Sequence, residues 1–187
     1  FTDENNLLKL IEYKPKMIWL ESPTNPLLKV LDIAKICSVA TKEGIPVVVD
    51  NTFATPLLQR PLELGATLSL CSTTKYINGH SDALGGAVFT DADHWKKRLD
   101  FAQKALGLQP SPFDCWLITR GVKTMPLRLE RQTNNAAALA QELSEHPSIE
   151  WVRYPFLSSH PQHEIALKQM EAGGAIITAN LKGDREQ

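Results

Sequence analysis

Leu68-Ser69-Leu70-Cys71-Ser72-Thr73-Thr74-Lys75-Tyr76 begins as an apolar run, breaks into hydroxyl side chains and a lysine, and leads into Asn78-Gly79-His80-Ser81-Asp82. A short apolar run bounded by such punctuation predicts a buried strand followed by a turn. A lysine at the mouth of a buried strand, with hydroxyls before it and a glycine turn after it, is placed to hold a phosphorylated carbonyl compound. Its amine would form the Schiff base. Alone, Lys75 also reads as a solvated surface cation, and the Ser/Thr segment as nothing more than a turn.

Upstream, Pro46-Val47-Val48-Val49 is the continuous β-branched run of a parallel strand covered on both faces, and it ends in Asp50. An acid paired with a lysine in this way is what pyridoxal phosphate requires. The acid keeps the ring nitrogen protonated, so that the ring withdraws electrons from the substrate. The other reading of Asp50 is a helix cap or turn acid. Met17-Ile18-Trp19-Leu20 predicts a further strand, followed by the loop Glu21-Ser22-Pro23-Thr24-Asn25-Pro26. Its two prolines hold Asn25 beside the strand end, where it serves as a turn residue or touches a ligand. Between these strands Asp32 opens a helix over 33–43 and Gly44 stops it, which completes a right-handed βαβ unit. Three polar loops therefore follow three apolar strands, at the carboxyl ends where open α/β sheets gather ligand groups.

The remaining pattern is mostly helical. Thr2 caps a short helix through Leu7, Leu8, Leu10 and Ile11, one helical turn is expected at 61–64, and 85–89 reads as a strand whose glycines permit close backbone approach. Helices are expected at 93–106, 112–120 and 124–145, the last with the stripe Met125, Leu129, Ala136, Leu139, Ala140 and Leu143 and ended by His146-Pro147. A strand at 149–154, a helix at 163–170 and a strand at 175–180 start a smaller α+β unit. The domain boundary falls inside the long helix, giving a large domain at 1–133 and the start of a small one at 134–187.

A chain of 187 residues with 43% hydrophobic and 22% charged residues is of ordinary globular composition, and a net charge of −1 offers no field to recruit nucleic acid or an anionic membrane. Its apolar runs are far shorter than the roughly 20 residues of a membrane span. Cys37, Cys71 and Cys115 are widely spaced and read as free thiols of a reducing compartment, with Cys37 at helical spacing from Ile33, Ile36 and Ala40 as a core residue. His160 and His163 sit around Pro161, which breaks the helix that would align them on a metal, so capping or loop roles are expected and no metal site. His80 reads as a supporting or structural group near the lysine. No G-x-S-x-G, G-x-G-x-x-G or P-loop pattern is present. The start at Phe1 and the end at Gln187 read as those of a fragment.

With Glu21-Ser-Pro-Thr-Asn25-Pro, Val49-Asp50-Asn51-Thr52-Phe53 and Ser72-Thr73-Thr74-Lys75-Tyr76-Ile77-Asn78-Gly79-His80-Ser81-Asp82 in place, the sequence resembles the Cys/Met-metabolism family of pyridoxal phosphate enzymes. The likeness continues through Ser111-Pro112-Phe113-Asp114, Arg120-Gly121-Val122-Lys123-Thr124 and His160-Pro161-Gln162-His163-Glu164. It implies the α/β large domain of aminotransferase-like fold type I, with a mostly parallel sheet. Lys75 then matches the Schiff-base lysine that also moves protons between substrate carbons, and Asp50 the partner of the pyridine nitrogen. Ser72 and Thr74 match the hydroxyls that hold the phosphate, Thr52 a position lining the cofactor, and Asn25 the residue that hydrogen-bonds the cofactor's phenolic oxygen.

The resemblance further implies a small sulfur amino-acid substrate and trans-sulfuration chemistry at the γ-carbon in methionine and cysteine metabolism, in a cytoplasmic homotetramer built as a dimer of dimers. Cystathionine γ-lyase is the first expectation, γ-synthase the second, and methionine γ-lyase or an O-acylhomoserine sulfhydrylase follow. The family pattern places a glycine-containing phosphate turn, a ring-stacking aromatic and an intersubunit arm upstream of Phe1, and a carboxylate-binding arginine downstream of Gln187. The competing reading, of another class, is a catalytically silent α/β segment.

Overall fold

The computed structural model describes residue 6, residue 9 and residues 11–183. Of the expected first helix, Thr2, Leu7, Leu8 and Leu10 lie outside the described residues, while Asn6, Lys9, Ile11 and Glu12 are helical.

The three apolar runs pair as the parallel part of a four-stranded sheet in the order β1 (Ile18–Glu21), β2 (Val47–Asp50), β3 (Leu68–Ser72) and β4 (Gly86–Phe89). β4 runs antiparallel, with Ser72 opposite Gly86. The register sets Glu21 against Asp50 and Asp50 against Leu70, so the polar ends of the parallel strands share one edge. Val47, Val48 and Val49 are all buried, which is the double-faced cover that their unbroken β-branched run predicts.

Helix α1 (Ile33–Lys42) starts where Asp32 Oδ1 accepts the Lys35 amide at 3.0 Å, and the left-handed Gly44 follows its end at φ 66°. Its buried face, Ile33, Ile36, Cys37 and Ala40, packs on Ile18, Leu20, Val47 and Val49 to make the main core. Burial pushes the Cys37 thiol up to about 11, as befits an inert packing group. The helical turn expected at 61–64 is a hydrogen-bonded turn, and the short helix forms earlier as α2 (Thr55–Leu58). Pro56 lies in the first turn of α2, where proline is preorganised.

Helices α3 (Asp93–Leu106), α4 (Pro112–Val122) and α5 (Met125–Glu145) follow, then β5 (Ile149–Arg153), α6 (His163–Gln169) and β6 (Thr178–Leu181). β5 and β6 pair antiparallel as a separate two-stranded sheet. The buried stripe of α5 is Met125, Leu129, Thr133, Ala136 and Ala140, with Leu143 partly buried beside it. Leu139, expected in that stripe, is 48% exposed. Steps of four and three residues keep to one helical face, and Leu139 lies one residue, about 100°, away from Ala140.

The amino-terminal end of α5 packs Met125 with Cys71 and Ile77, whereas Ala136 and Ala140 pack with Val152 and Tyr154. The two halves of α5 thus pack against different partners. All three cysteines are free, Cys115 exposed and the others buried. Among the described residues, no helix is long and apolar enough to cross a membrane.

A buried amide network ties α6 to the ends of β1 and β2. Gln59, 1% exposed, donates from Nε2 to the Ser22 carbonyl and to Asn51 Oδ1, both at 2.8 Å. Asn51 Nδ2 returns a 2.8 Å bond to the Gln59 carbonyl, and Ser22 Oγ accepts the Leu31 amide at 3.1 Å. From α6, Gln169 Nε2 donates to Gln59 Oε1 and to the Leu31 carbonyl, each at 2.9 Å.

His160 makes a second bridge: its ring lies 3.1 Å from the Leu28 carbonyl through Nε2, and its Nδ1 accepts the Gln162 amide. These contacts fit a neutral ring with its proton on Nε2. Burial holds this imidazole below its usual pKa, and the charges of Arg153 and His163 act in the same direction, against the Leu28 hydrogen bond. The unfolded chain therefore binds this proton at higher pH than the folded one. Stability is unaffected above about 6.5 and declines as pH falls below it. We expect the melting temperature to drop on going from about pH 7 to about pH 5, and His160→Asn to flatten that slope; an unchanged slope would remove His160 as its source.

Candidate active site

Past β3 the backbone winds into a single π turn, Thr73–Ile77, in which the Asn78 amide reaches the Thr73 carbonyl at 2.9 Å and Gly79 reaches that of Lys75 at 2.7 Å. Lys75 leaves helical geometry, at φ −88° and ψ −120°, and so breaks the turn at the residue that carries the amine. The β4 approach holds the front of the turn: the Gly85 carbonyl accepts Thr73 N at 2.9 Å, and its amide donates to Thr74 Oγ1 at 3.1 Å. A Cβ at Gly85 would stand 2.8 Å from Thr73 Oγ1, so close approach there needs glycine.

Lys75 is exposed into a cavity of about 1010 Å³, whose walls include Asn25, Phe53, Thr74, Tyr76, Asp82 and Arg128. Three expected site residues, Asn25, Thr74 and Lys75, thus meet at one cavity. Asp50, Thr52 and Ser72 stand at the strand ends and are not among its lining residues. They form one hydrogen-bonded run instead. Ser72 N donates to Thr52 Oγ1 at 2.8 Å, and Thr52 Oγ1 donates to Asp50 Oδ1 at 2.6 Å, where the Thr52 amide also arrives at 3.0 Å. The Thr52 hydroxyl is consequently spent within the protein, in fixing the Asp50 carboxylate. Asp50 leaves its mark on the core: burial, and then its charge, push the Cys71 thiol up to about 12.

The groups a phosphorylated pyridine would need are uncommitted. Among the described residues Lys75 Nζ, Ser72 Oγ, Asp50 Oδ2 and the Asn25 side chain have no hydrogen-bonding or ionic partner. Thr74 Oγ1 donates only a long 3.4 Å bond, to the Gly85 carbonyl. A cavity of this size is ample for such a ligand. The residues present fit pyridoxal phosphate.

A family model described as "Cys/Met metabolism PLP-dependent enzyme" matches residues 1–187. The chain belongs to that family. Within the Cys/Met-metabolism PLP-dependent enzymes it is 53% identical to a probable cystathionine gamma-synthase of Herpetosiphon aurantiacus, over 94% of this chain and 55% of that relative. It is 50% identical to a cystathionine beta-lyase of Coxiella burnetii, over 98% of this chain and 48% of the relative. A crystal structure of cystathionine gamma synthase from Xanthomonas oryzae pv. oryzae, in complex with aminoacrylate and cysteine, superposes with a TM-score of 0.97 at 42% identity and covers 99% of this chain and 48% of that one. The chain spans about half the length of the curated relatives it matches.

For a Cys/Met-metabolism PLP-dependent enzyme, the walls also hold residues that sequence reasoning did not reach. Arg128 and Gln132 line the cavity from α5, each one residue before the buried Leu129 and Thr133. The signal in the sequence is a polar pair at i, i+4 running alongside an apolar stripe. His80 is exposed and its Nδ1 lies 2.7 Å from the Asn78 carbonyl, a structural contact to the turn's backbone.

Proposed function

We propose that this chain carries the cofactor-holding part of an enzyme that uses pyridoxal phosphate to break or form a carbon–sulfur bond of cystathionine or a related sulfur amino acid. The observation that carries the reading is Lys75 facing the large cavity beside Asn25 and Thr74, next to strand ends whose Asp50–Thr52–Ser72 run is already ordered. When bound, pyridoxal phosphate supplies the electron sink for a carbanion at the substrate's α-carbon. Lys75 would hold the cofactor's carbonyl carbon and would carry protons between the α- and β-carbons of the substrate. Asp50 would hold a proton at the pyridine nitrogen, and Thr52 keeps that carboxylate in place. Ser72 and Thr74 would hold the phosphate, and Asn25 the phenolic oxygen.

The γ-carbon is our preferred position of cleavage or addition, as the sequence relatives named gamma-synthase and gamma-lyase suggest. The beta-lyase likeness makes the β-carbon the specific rival. Products separate them: with water consumed, γ-cleavage of cystathionine yields cysteine, 2-oxobutanoate and ammonia, β-cleavage yields homocysteine, pyruvate and ammonia, and a synthase joins cysteine to an activated homoserine with release of its activating group. We propose a homotetramer, which sizing of the full-length protein checks.

Borohydride reduction of the full-length protein with pyridoxal phosphate, followed by peptide mass analysis, is the direct test. A pyridoxyl group on Lys75 is the expected result. Its absence from folded protein would favour the silent segment. Asp50→Asn is expected to retain that adduct while turnover falls by about a hundredfold or more, because the proton at the ring nitrogen is no longer held. Turnover equal to wild type would take Asp50 out of the chemistry.

A further inference from the structure

Arg128, in the first turn of α5, lays its guanidinium over the far end of the lysine turn. Nη2 lies 3.0 Å from the carbonyl of Tyr76, 3.3 Å from that of Asn78 and 3.0 Å from that of Gly121, with the Ile77 carbonyl at 3.5 Å. Nε donates to Thr124 Oγ1 at 3.0 Å. Among the described residues this arginine forms no ion pair, so its charge is spent on backbone oxygens.

Carbonyls at the end of a helical turn lack intrahelical partners and carry partial negative charge, which a cation there offsets. The backbone has made room for it. A Cβ at Gly79 would stand 1.9 Å from Arg128 Nη1, so the glycine vacates the space that the guanidinium fills. A Cβ at Gly121 would stand 2.3 Å from the Asn78 carbonyl, so the end of α4 sits directly against the same turn. One side chain thereby joins the lysine turn, the end of α4 and the start of α5, while also lining the cavity that holds Lys75.

We propose that Arg128 is a positioning residue for Lys75: by pinning the carbonyls that follow the lysine, it fixes where the amine stands in the cavity. This rests on the assignment of Lys75 made above. Two measurements on full-length R128Q, R128A and R128K separate the ideas. Amide hydrogen exchange without cofactor reads the clamp alone. In R128Q and R128A the amides of Asn78 and Gly79 are expected to exchange about tenfold faster or more, those of the β5–β6 ladder to keep wild-type rates, and R128K to fall between. The initial rate of borohydride-fixed labelling of Lys75 at limiting pyridoxal phosphate reads the consequence, and is expected to fall at least about fivefold in R128Q with partial rescue in R128K.

Unchanged exchange at residues 73–79 would overturn the clamp. Faster exchange with unchanged labelling would overturn the positioning role. If R128Q and R128A lose the fold and exchange everywhere, R128K decides by the same two criteria. Failure of the wild-type protein to label at Lys75 would overturn the functional assignment itself, and with it the positioning role.

Discussion

Lys75→Ala in the full-length protein is expected to give no borohydride-fixed pyridoxyl peptide, and turnover to fall by about 10⁴-fold or more, because in the proposed function one side chain both tethers the carbonyl and carries the protons. The fold will survive. Lys75 is exposed and has no hydrogen-bonding or ionic partner among the described residues, so the change in stability is expected within about 0.5 kcal/mol. Calorimetry and peptide mass analysis of the same preparation check both halves. A pyridoxyl group fixed on another lysine, with turnover retained, would displace Lys75 from the chemistry.

Gln59→Leu is the structural counterpart. It strands the Ser22 carbonyl and Asn51 Oδ1, and removes one of the two hydrogen bonds made by Gln169 Nε2. An orphaned buried polar group costs about 1–3 kcal/mol, and coupled losses do not add fully, so about 3 kcal/mol overall is expected. For a protein of this size that lowers the melting temperature by roughly 6–12 °C. Because the same side chain ties the loop carrying Asn25 to the segment after Asp50, cofactor affinity should weaken alongside. A loss under about 1 kcal/mol would mean that the stranded groups find water or new partners.

What the sequence made legible was short-range. Val47, Val48 and Val49 announce a doubly covered strand because nothing polar interrupts them, and the step from Cys71 to Thr73-Thr74-Lys75 announces a turn because hydroxyls and a charge cannot extend a buried ladder. Cys37 reads as core from its spacing and is core. What escaped depends on contacts between distant residues. Arg128 reaches across 52 residues to the Tyr76 carbonyl, and Gln169 across 110 to Gln59. A lone arginine or glutamine on a helix looks the same whether it is solvated or spent on a distant backbone. Leu139 is apolar but lies off the helical phase of the buried stripe, in which the polar Thr133 is buried. Thr52 stands near Asp50 in the sequence, but the direction of its hydroxyl, which donates to Asp50 and accepts the Ser72 amide, is not readable there.

Helix α5 runs unbroken from Met125 to Glu145, clamped at Arg128 to the lysine turn and bedded at Ala140 against the second sheet. Mechanically it is a lever. The twelve residues from Arg128 to Ala140 make an arm of about 18 Å, so a tilt of about 5° at the far end sweeps the guanidinium through about 1.6 Å. Displacements of that order separate a productive reacting geometry from an idle one. Whatever seats β5 and β6 therefore sets the aim of the amine, and substitutions beneath that sheet, far from the cavity, will register first as changes in the lysine's reach.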